Sequence, residues 1–244
     1  MWPDTRLCRL LGVEHPIILA PMAGTTTPEM VAAVSNGGGL GSHGCATMPL
    51  DRLERDVEVL ARSTNRPVNL NFFCHTQPPE DPEKEAAWRQ SLQPYYEELR
   101  LEMNEDAGGP GRRPFDEQTA DLVAELKPAV VSFHFGLPAP DLLAHTKSNG
   151  VKVLASATTV AEALWLEERG ADAIIAQGLE AGGHRGHFLS DDLGLHMGIF
   201  ALLPRITSRV KLPVIAAGGI ASSEGVKAAI QLGATAAQVG TAYL

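Results

Sequence analysis

One feature constrains this chain more than any other: short apolar runs recur along its whole length, and nearly every one is followed by a stretch with helical spacing. The runs fall at residues 16–20, 40–42, 68–72, 129–133, 151–156, 173–176, 213–217 and 236–239. Helical patterns follow at 28–36, 50–62, 118–126, 141–148, 160–169, 197–208 and 222–232. Runs such as VVSF, AIIA and VIAA are apolar at successive positions, as strands covered on both faces must be. Strand and helix alternating at this spacing imply a parallel sheet. Eight such units in 244 residues match the size of a (β/α)8 TIM barrel. A doubly wound open sheet is the alternative; strand count and length favour the barrel.

The pattern breaks once. After the third run, residues 78–113 form a highly charged insertion with a helical stretch near 83–104 and a GGPGRR ending. Long connections in compact domains tend to serve as covers, so this one is read as a lid on a single domain, 1–244. The chain stops at Leu244, just after the eighth run. The expectation is that no helix covers the last strand and that its outward face, with Tyr243 and Leu244, lies bare and favours association. A homo-oligomer is left open.

Charge and cysteine usage exclude several function classes. Twenty basic against 29 acidic residues give a net charge of −9, which disfavours nucleic acid and anionic membranes as partners. No run of about 18 apolar residues is present, and the first residues lack the pattern of a signal peptide. Cys8, Cys45 and Cys74 are odd in number and lack CxxC spacing. They read as free thiols in a reducing compartment, and the chain as cytoplasmic. Gly39 to Gly44 matches GxGxxG only formally, since it follows a helix and opens none directly. The histidines and aspartates of 184–196 have no fixed ligand spacing, so no metal is expected.

In a parallel barrel, residues at the C-terminal strand ends form the active rim. Those positions here are rich in glycine and polar groups, and His43, His75, His134 and His184 all fall there. Gly218-Gly219 and Gly240-Thr241 follow runs seven and eight, where barrels often build a phosphate site from backbone N–H groups. The stretch from Gln177 to His187, QGLEAGGHRGH, offers an amide at Gln177, close backbone approach at Gly182, and a proton acceptor at His184. Asn69 and Asn71 alternate within an apolar strand and point to one side, plausible only if bonded. They are either satisfied core amides or contacts to a polar ring.

Together, PIILAPMAG at 16–24, GGGLGS at 37–42, NLNFF at 69–73, SFHFG at 132–136, QGLEAGGHRG at 177–186, AAGGIA at 216–221 and QVGTAYL at 238–244 resemble the nitronate monooxygenase family. These are FMN-dependent (β/α)8 barrels, formerly called 2-nitropropane dioxygenases. The resemblance implies FMN on the C-terminal face, contacted by Asn71, Gln177, Gly182, Gly219, Gln238, Val239, Gly240 and Thr241, with Met22 near the ring. FMN is expected over FAD because one phosphate site and no pyrophosphate fingerprint are visible. The histidine of the family's GGH motif falls on His184, as base or anion anchor, with His134 as a second polar candidate. The implied reaction is oxidation of an alkyl nitronate, such as propionate 3-nitronate, with O2 to a carbonyl compound and nitrite. An NAD(P)H-dependent flavin reductase of the enoyl-ACP or quinone type is one alternative; a flavin-binding remnant without turnover is another.

Overall fold

The computed structural model describes residues 2–79, 81–103 and 113–244. Eight parallel strands run in the order β1-β8-β7-β6-β5-β4-β3-β2. They are β1 (Ile17–Leu19), β2 (Gly41–Gly44), β3 (Val68–Phe73), β4 (Val130–His134), β5 (Lys152–Ala157), β6 (Ala173–Gln177), β7 (Val214–Ala217) and β8 (Ala236–Val239). β1 pairs with β8 in register Ile18 to Gln238, and a single parallel bridge from Ile18 to Leu40 draws β1 towards β2. The sheet is thus a nearly closed TIM-type barrel.

The helices are α1 (Arg6–Leu11), α2 (Pro28–Asn36), α3 (Leu50–Ser63), α4 (Pro82–Leu99), α5 (Glu117–Leu126), α6 (Pro140–Lys147), α7 (Val160–Glu168), α8 (Ile199–Thr207) and α9 (Ser223–Gln231). Their starts follow local chemistry. Thr27 caps α2, with Pro28 in its first turn. Asp116 caps α5, Ser222 caps α9, and Thr159 with Glu162 forms a capping box on α7.

Four differences from the sequence reading have physical causes. α1 was not foreseen; its Leu7 and Leu11 are buried with Ile18, Leu40, Val130, Leu154 and Ala236, plugging the N-terminal end of the barrel. β2 is shifted to GSHG, a weak strand by propensity. Glycine is required there, because a Cβ on Gly41 would lie 2.0 Å from the Val31 carbonyl oxygen of α2. The segment before α8 forms a 3-10 turn, Leu193–Leu195, so the helix starts at Ile199. The outward face of β8 is not bare: α9 packs against the strand, and Ala237 and Val239 are buried. The exposed apolar groups are Tyr243 and Leu244 themselves.

α4 lies in the charged insertion and none of its residues is buried; α5 is the helix that packs between β3 and β4. The helical reading of 83–104 ends within the described part at Leu99, and residue 104 and the GGPGRR ending through 112 lie outside the described residues. No helix among the described residues is long and apolar enough to cross a membrane.

Inside the barrel, side chains sort by height. The lower wall is apolar, with Ile18, Leu40, Val130, Leu154, Ala173, Ile175, Ile215 and Ala236. Towards the C-terminal end the wall turns polar. That change of character along a single core marks the upper end as a site, since each buried polar group there costs free energy unless bonded.

Candidate active site

The polar wall begins with Asn69 and Asn71 on β3. Asn69 Nδ2 donates to Ser42 Oγ on β2 at 3.0 Å and to Ser132 Oγ on β4 at 2.9 Å. Asn71 Nδ2 donates to the same Ser132 Oγ at 3.0 Å and to the Ser132 carbonyl at 3.2 Å. Both asparagines therefore point inward, as the alternation predicts. Asn69 Oδ1 is buried with no partner among the described residues.

His134, at the end of β4, comes next. Its Nε2 lies 3.2 Å from the His184 carbonyl oxygen and its Nδ1 3.0 Å from Ser156 Oγ of β5. A carbonyl can only accept, so Nε2 carries the proton and Nδ1 accepts from the serine hydroxyl. Burial pushes the His134 pKa down to about 4, against the upward pull of the bond to the His184 carbonyl. The imidazole is neutral near pH 7, and both its nitrogens are engaged within the protein.

Gln177, at the end of β6, holds the loop that follows. Its Nε2 donates to the His184 carbonyl at 2.8 Å, and its Oε1 accepts from Gly186 N–H at 2.7 Å. Arg185 turns back to donate to the carbonyls of Gly178, Leu179 and Ala181. Glu180 accepts from the first N–H of α8, at Ile199. His184 is thereby presented at the rim, exposed, by a loop tied down on both sides of it. Its ring meets Phe73 edge-on at 5.3 Å and Phe135 at 5.9 Å. The glycine-flanked histidine thus has aromatic walls that its local sequence does not reveal.

The opposite arc is built from glycines. A Cβ on Gly218 would lie 2.9 Å from Ala181 N, and one on Gly182 would lie 4.0 Å from Thr241 Oγ1. A Cβ on Gly240 would lie 3.6 Å from Met22 Sδ. Gly182, Gly218, Gly219, Gly240, Thr241 and Met22 thus come together, from the ends of β6, β7, β8 and β1. Gly218 and Gly219 have φ of 120° and 68°, so side chains there would be strained as well as crowded. Val239 is buried, with its carbonyl accepting from Ala20 N–H at 2.7 Å.

Two histidines of the sequence-derived rim stand apart. His43 points outward from β2 and is buried against α3, its Nε2 2.9 Å from Asp56 Oδ2. His75 lies beyond Phe73 and Phe135, at ring distances of 6.2 Å from both. Ser42, Ser132 and Ser156 were missed by sequence reasoning. Their signal was the same two-residue alternation that flagged the asparagines, as in Ser132 and His134. The thiols are free, and burial raises the pKa of Cys8 and Cys74 and pushes Cys45 to about 12, which leaves them poor nucleophiles. No metal-binding cluster occurs among the described residues.

A polar-mouthed parallel barrel, with convergent glycine loops on one arc and a rim histidine on the other, places the chain among TIM-type barrels that carry their site at the C-terminal face. The nitronate monooxygenase family profile matches residues 4–244. A nitronate monooxygenase of Paraburkholderia phytofirmans is 44% identical over 98% of this chain and 65% of its own length. A nitronate monooxygenase of Pseudomonas aeruginosa is 41% identical over 98% of this chain and 68% of its own. Among solved structures, nitroalkane oxidase from Streptomyces ansochromogenes superposes with a TM-score of 0.87 at 35% identity, covering 97% of this chain and 67% of that one. FabK from Thermotoga maritima gives 0.74 at 32% identity, covering 98% and 62%. The chain belongs to the nitronate monooxygenase family, and it spans about two thirds of the length of these relatives.

Proposed function

We propose that this chain is the FMN-binding barrel of an enzyme that oxidises alkyl nitronates, of the propionate 3-nitronate type, with O2 to a carbonyl compound and nitrite. The observation that carries the reading is His184: in a chain matched to the family over 4–244, it stands at the rim with aromatic walls and its backbone fixed from below.

The residues present fit a flavin mononucleotide. Gln238 Oε1, at the end of β8, is buried and has no partner among the described residues, which suits a donor from a bound ring. The N–H groups of Gly219, Gly240 and Thr241 donate to no acceptor among the described residues, which suits a phosphate. Gly182 and Gly218 keep side chains out of that arc. Asn71, Gln177 and Gln238 would meet the polar edge of the ring system, with Met22 and Val239 beside it. When bound, FMN supplies the electron transfer from nitronate to O2.

The protein's own part is charge, orientation and a proton. As imidazolium, His184 stabilises the anionic nitronate; as imidazole, it removes the proton next to the nitro group of a neutral nitroalkane. Phe73 and Phe135 limit the ring's positions and keep water from one side of it. His134 acts as a neutral donor that holds the His184 backbone. The insertion containing α4 would cover the mouth in part.

A second reading is the flavin reductase fed by NAD(P)H that the sequence resemblance leaves as the alternative. One experiment separates the readings. Flavin released by heat from the purified protein should co-migrate with FMN, and the bound flavin should be reduced anaerobically by a nitronate but not by NADH. Bleaching by NADH alone supports the reductase. Bound FMN without nitronate-dependent O2 uptake indicates binding without turnover, and a colourless protein that cannot be reconstituted overturns the proposal.

A further inference from the structure

Glu162 is the most thoroughly bonded carboxylate among the described residues, and its part in the α7 capping box accounts for only some of those bonds. It sits in the first turn of α7 and is 1% exposed. Oε2 accepts from Thr158 N–H at 2.7 Å, Thr158 Oγ1 at 2.7 Å and Thr159 N–H at 3.2 Å. Oε1 turns the other way and accepts from Phe188 N–H at 2.8 Å, with Leu189 N–H at 3.4 Å. No salt bridge among the described residues neutralises it. Five donors and the positive end of α7 hold the charge instead.

The loop it grips has little else to order it. Between β6 and α8, Leu179, Leu189, Leu193 and Leu195 are all exposed, so apolar burial contributes little along most of this connection. Polar anchors must supply the order. Gln177, Arg185 and His134 hold the part up to Gly186. Glu162 holds the next stretch, and Trp165, one turn further along α7, packs on the Phe188 ring at 5.1 Å. Phe188 in turn lies against Gly136, where a Cβ would come within 3.3 Å of the ring. Helix α7 therefore grips residue 188 twice, by backbone and by side chain, four residues beyond His184.

We propose that Glu162 is a positioning residue: its carboxylate clamps the Phe188 backbone to α7 and so fixes the height of His184 above the barrel mouth. The inference rests on the role given to His184 above. Glu162 also exerts an upward electrostatic pull on the pKa of His134, so the clamp is coupled to the histidine that holds the His184 carbonyl from below.

The test uses the flavin-loaded protein. Glu162→Asp keeps a charge at the start of α7 but withdraws the carboxylate by about 1.5 Å, beyond hydrogen-bond reach of Phe188 N–H. Glu162→Gln keeps the length but sets an NH2 against one group of donors. Thr159→Ala is the control, weakening the α7 cap without touching the Phe188 bond. The expected result is faster hydrogen exchange at residues 184–190 in both Glu162 variants, in addition to any change at Thr158 and Thr159, with flavin content unchanged and kcat/KM for a nitronate reduced at least tenfold. Thr159→Ala should lower the melting temperature and leave loop exchange and kcat/KM as in the wild type. Unchanged loop exchange in Glu162→Asp, wild-type turnover despite a loosened loop, or an equal activity loss in Thr159→Ala would each overturn the clamp. A wild-type protein without nitronate turnover would strike the proposed function instead, and the exchange comparison would still decide whether Glu162 holds the loop.

Discussion

Gly186→Ala should damage the site through contact alone. The backbone of Gly186 is ordinary; the problem is contact. A Cβ there would lie 2.5 Å from His134 Cε1, 2.8 Å from Nδ1 and 3.1 Å from Nε2. The imidazole has no room to retreat, with Phe135 at a ring distance of 4.6 Å and Phe73 at 5.8 Å. If the ring moves, the bonds to Ser156 and the His184 carbonyl are lost; if the loop moves, the bonds from Gly186 N–H to Gln177 and from Gln177 to His184 are lost. Either way two hydrogen bonds go, at about 1 kcal/mol each, and overpacking adds at least about 1 kcal/mol. The sum is about 3 kcal/mol, or roughly 6–12 °C in a chain of this size. Gly183→Ala is the matched comparison. Its φ is 74° and nothing lies within 4 Å of the added Cβ, so only backbone strain of about 1 kcal/mol is expected. Thermal melts of the two variants at equal flavin loading decide the matter. A Gly186→Ala protein that melts at or above Gly183→Ala refutes the contact argument.

Three further outcomes are expected. His184→Asn should keep fold and FMN yet lose ~10²–10⁴-fold in turnover of neutral nitroalkanes, with a smaller loss on preformed nitronates; an equal, small loss on both would remove His184 as base and anchor. Gln238→Leu should weaken flavin affinity at least tenfold without lowering the melting temperature of the flavin-free protein, because it removes a buried unpartnered oxygen; a destabilised flavin-free form would show that the oxygen is already satisfied. His134 gives a pH signature: with its folded pKa at about 4, below the usual histidine value, the unfolded chain takes up the proton first. Its stabilisation is therefore complete above about pH 6.5 and is lost as pH falls to about 4, up to about 3 kcal/mol in total. Urea midpoints at pH 7 and pH 5 should differ more for the wild type than for His134→Gln, and parallel slopes would exclude this source.

The charged insertion and the loop after β6 show where local sequence stops informing. α4 was legible as a helical stretch within a charged insertion, but none of its residues is buried, so nothing in the pattern says whether it covers the mouth. His184 was legible as a glycine-flanked rim residue. That Phe73 and Phe135 wall it in depends on the ends of β3 and β4 lying side by side, a contact between residues far apart in sequence. His43 shows the converse: its strand-end position suggested the site, and the pleat sends it outward to Asp56.

The sequence by itself determined the eight alternating units, the parallel sheet, the helix caps and the rim on which glycines and histidines gather. Each of these is set within a few residues by apolar period, capping chemistry or turn preference. Only the tertiary structure decided that α1 plugs the barrel, that β2 can be a strand of GSHG, and that Glu162 reaches the loop after β6. Those outcomes depend on close packing between distant segments: a glycine pressed on the Val31 carbonyl, two leucines filling the barrel's lower end, and a carboxylate whose donors lie 26 and 27 residues further along the chain. Linear spacing carries no record of such distances. Folding the strands into a ring is what creates them.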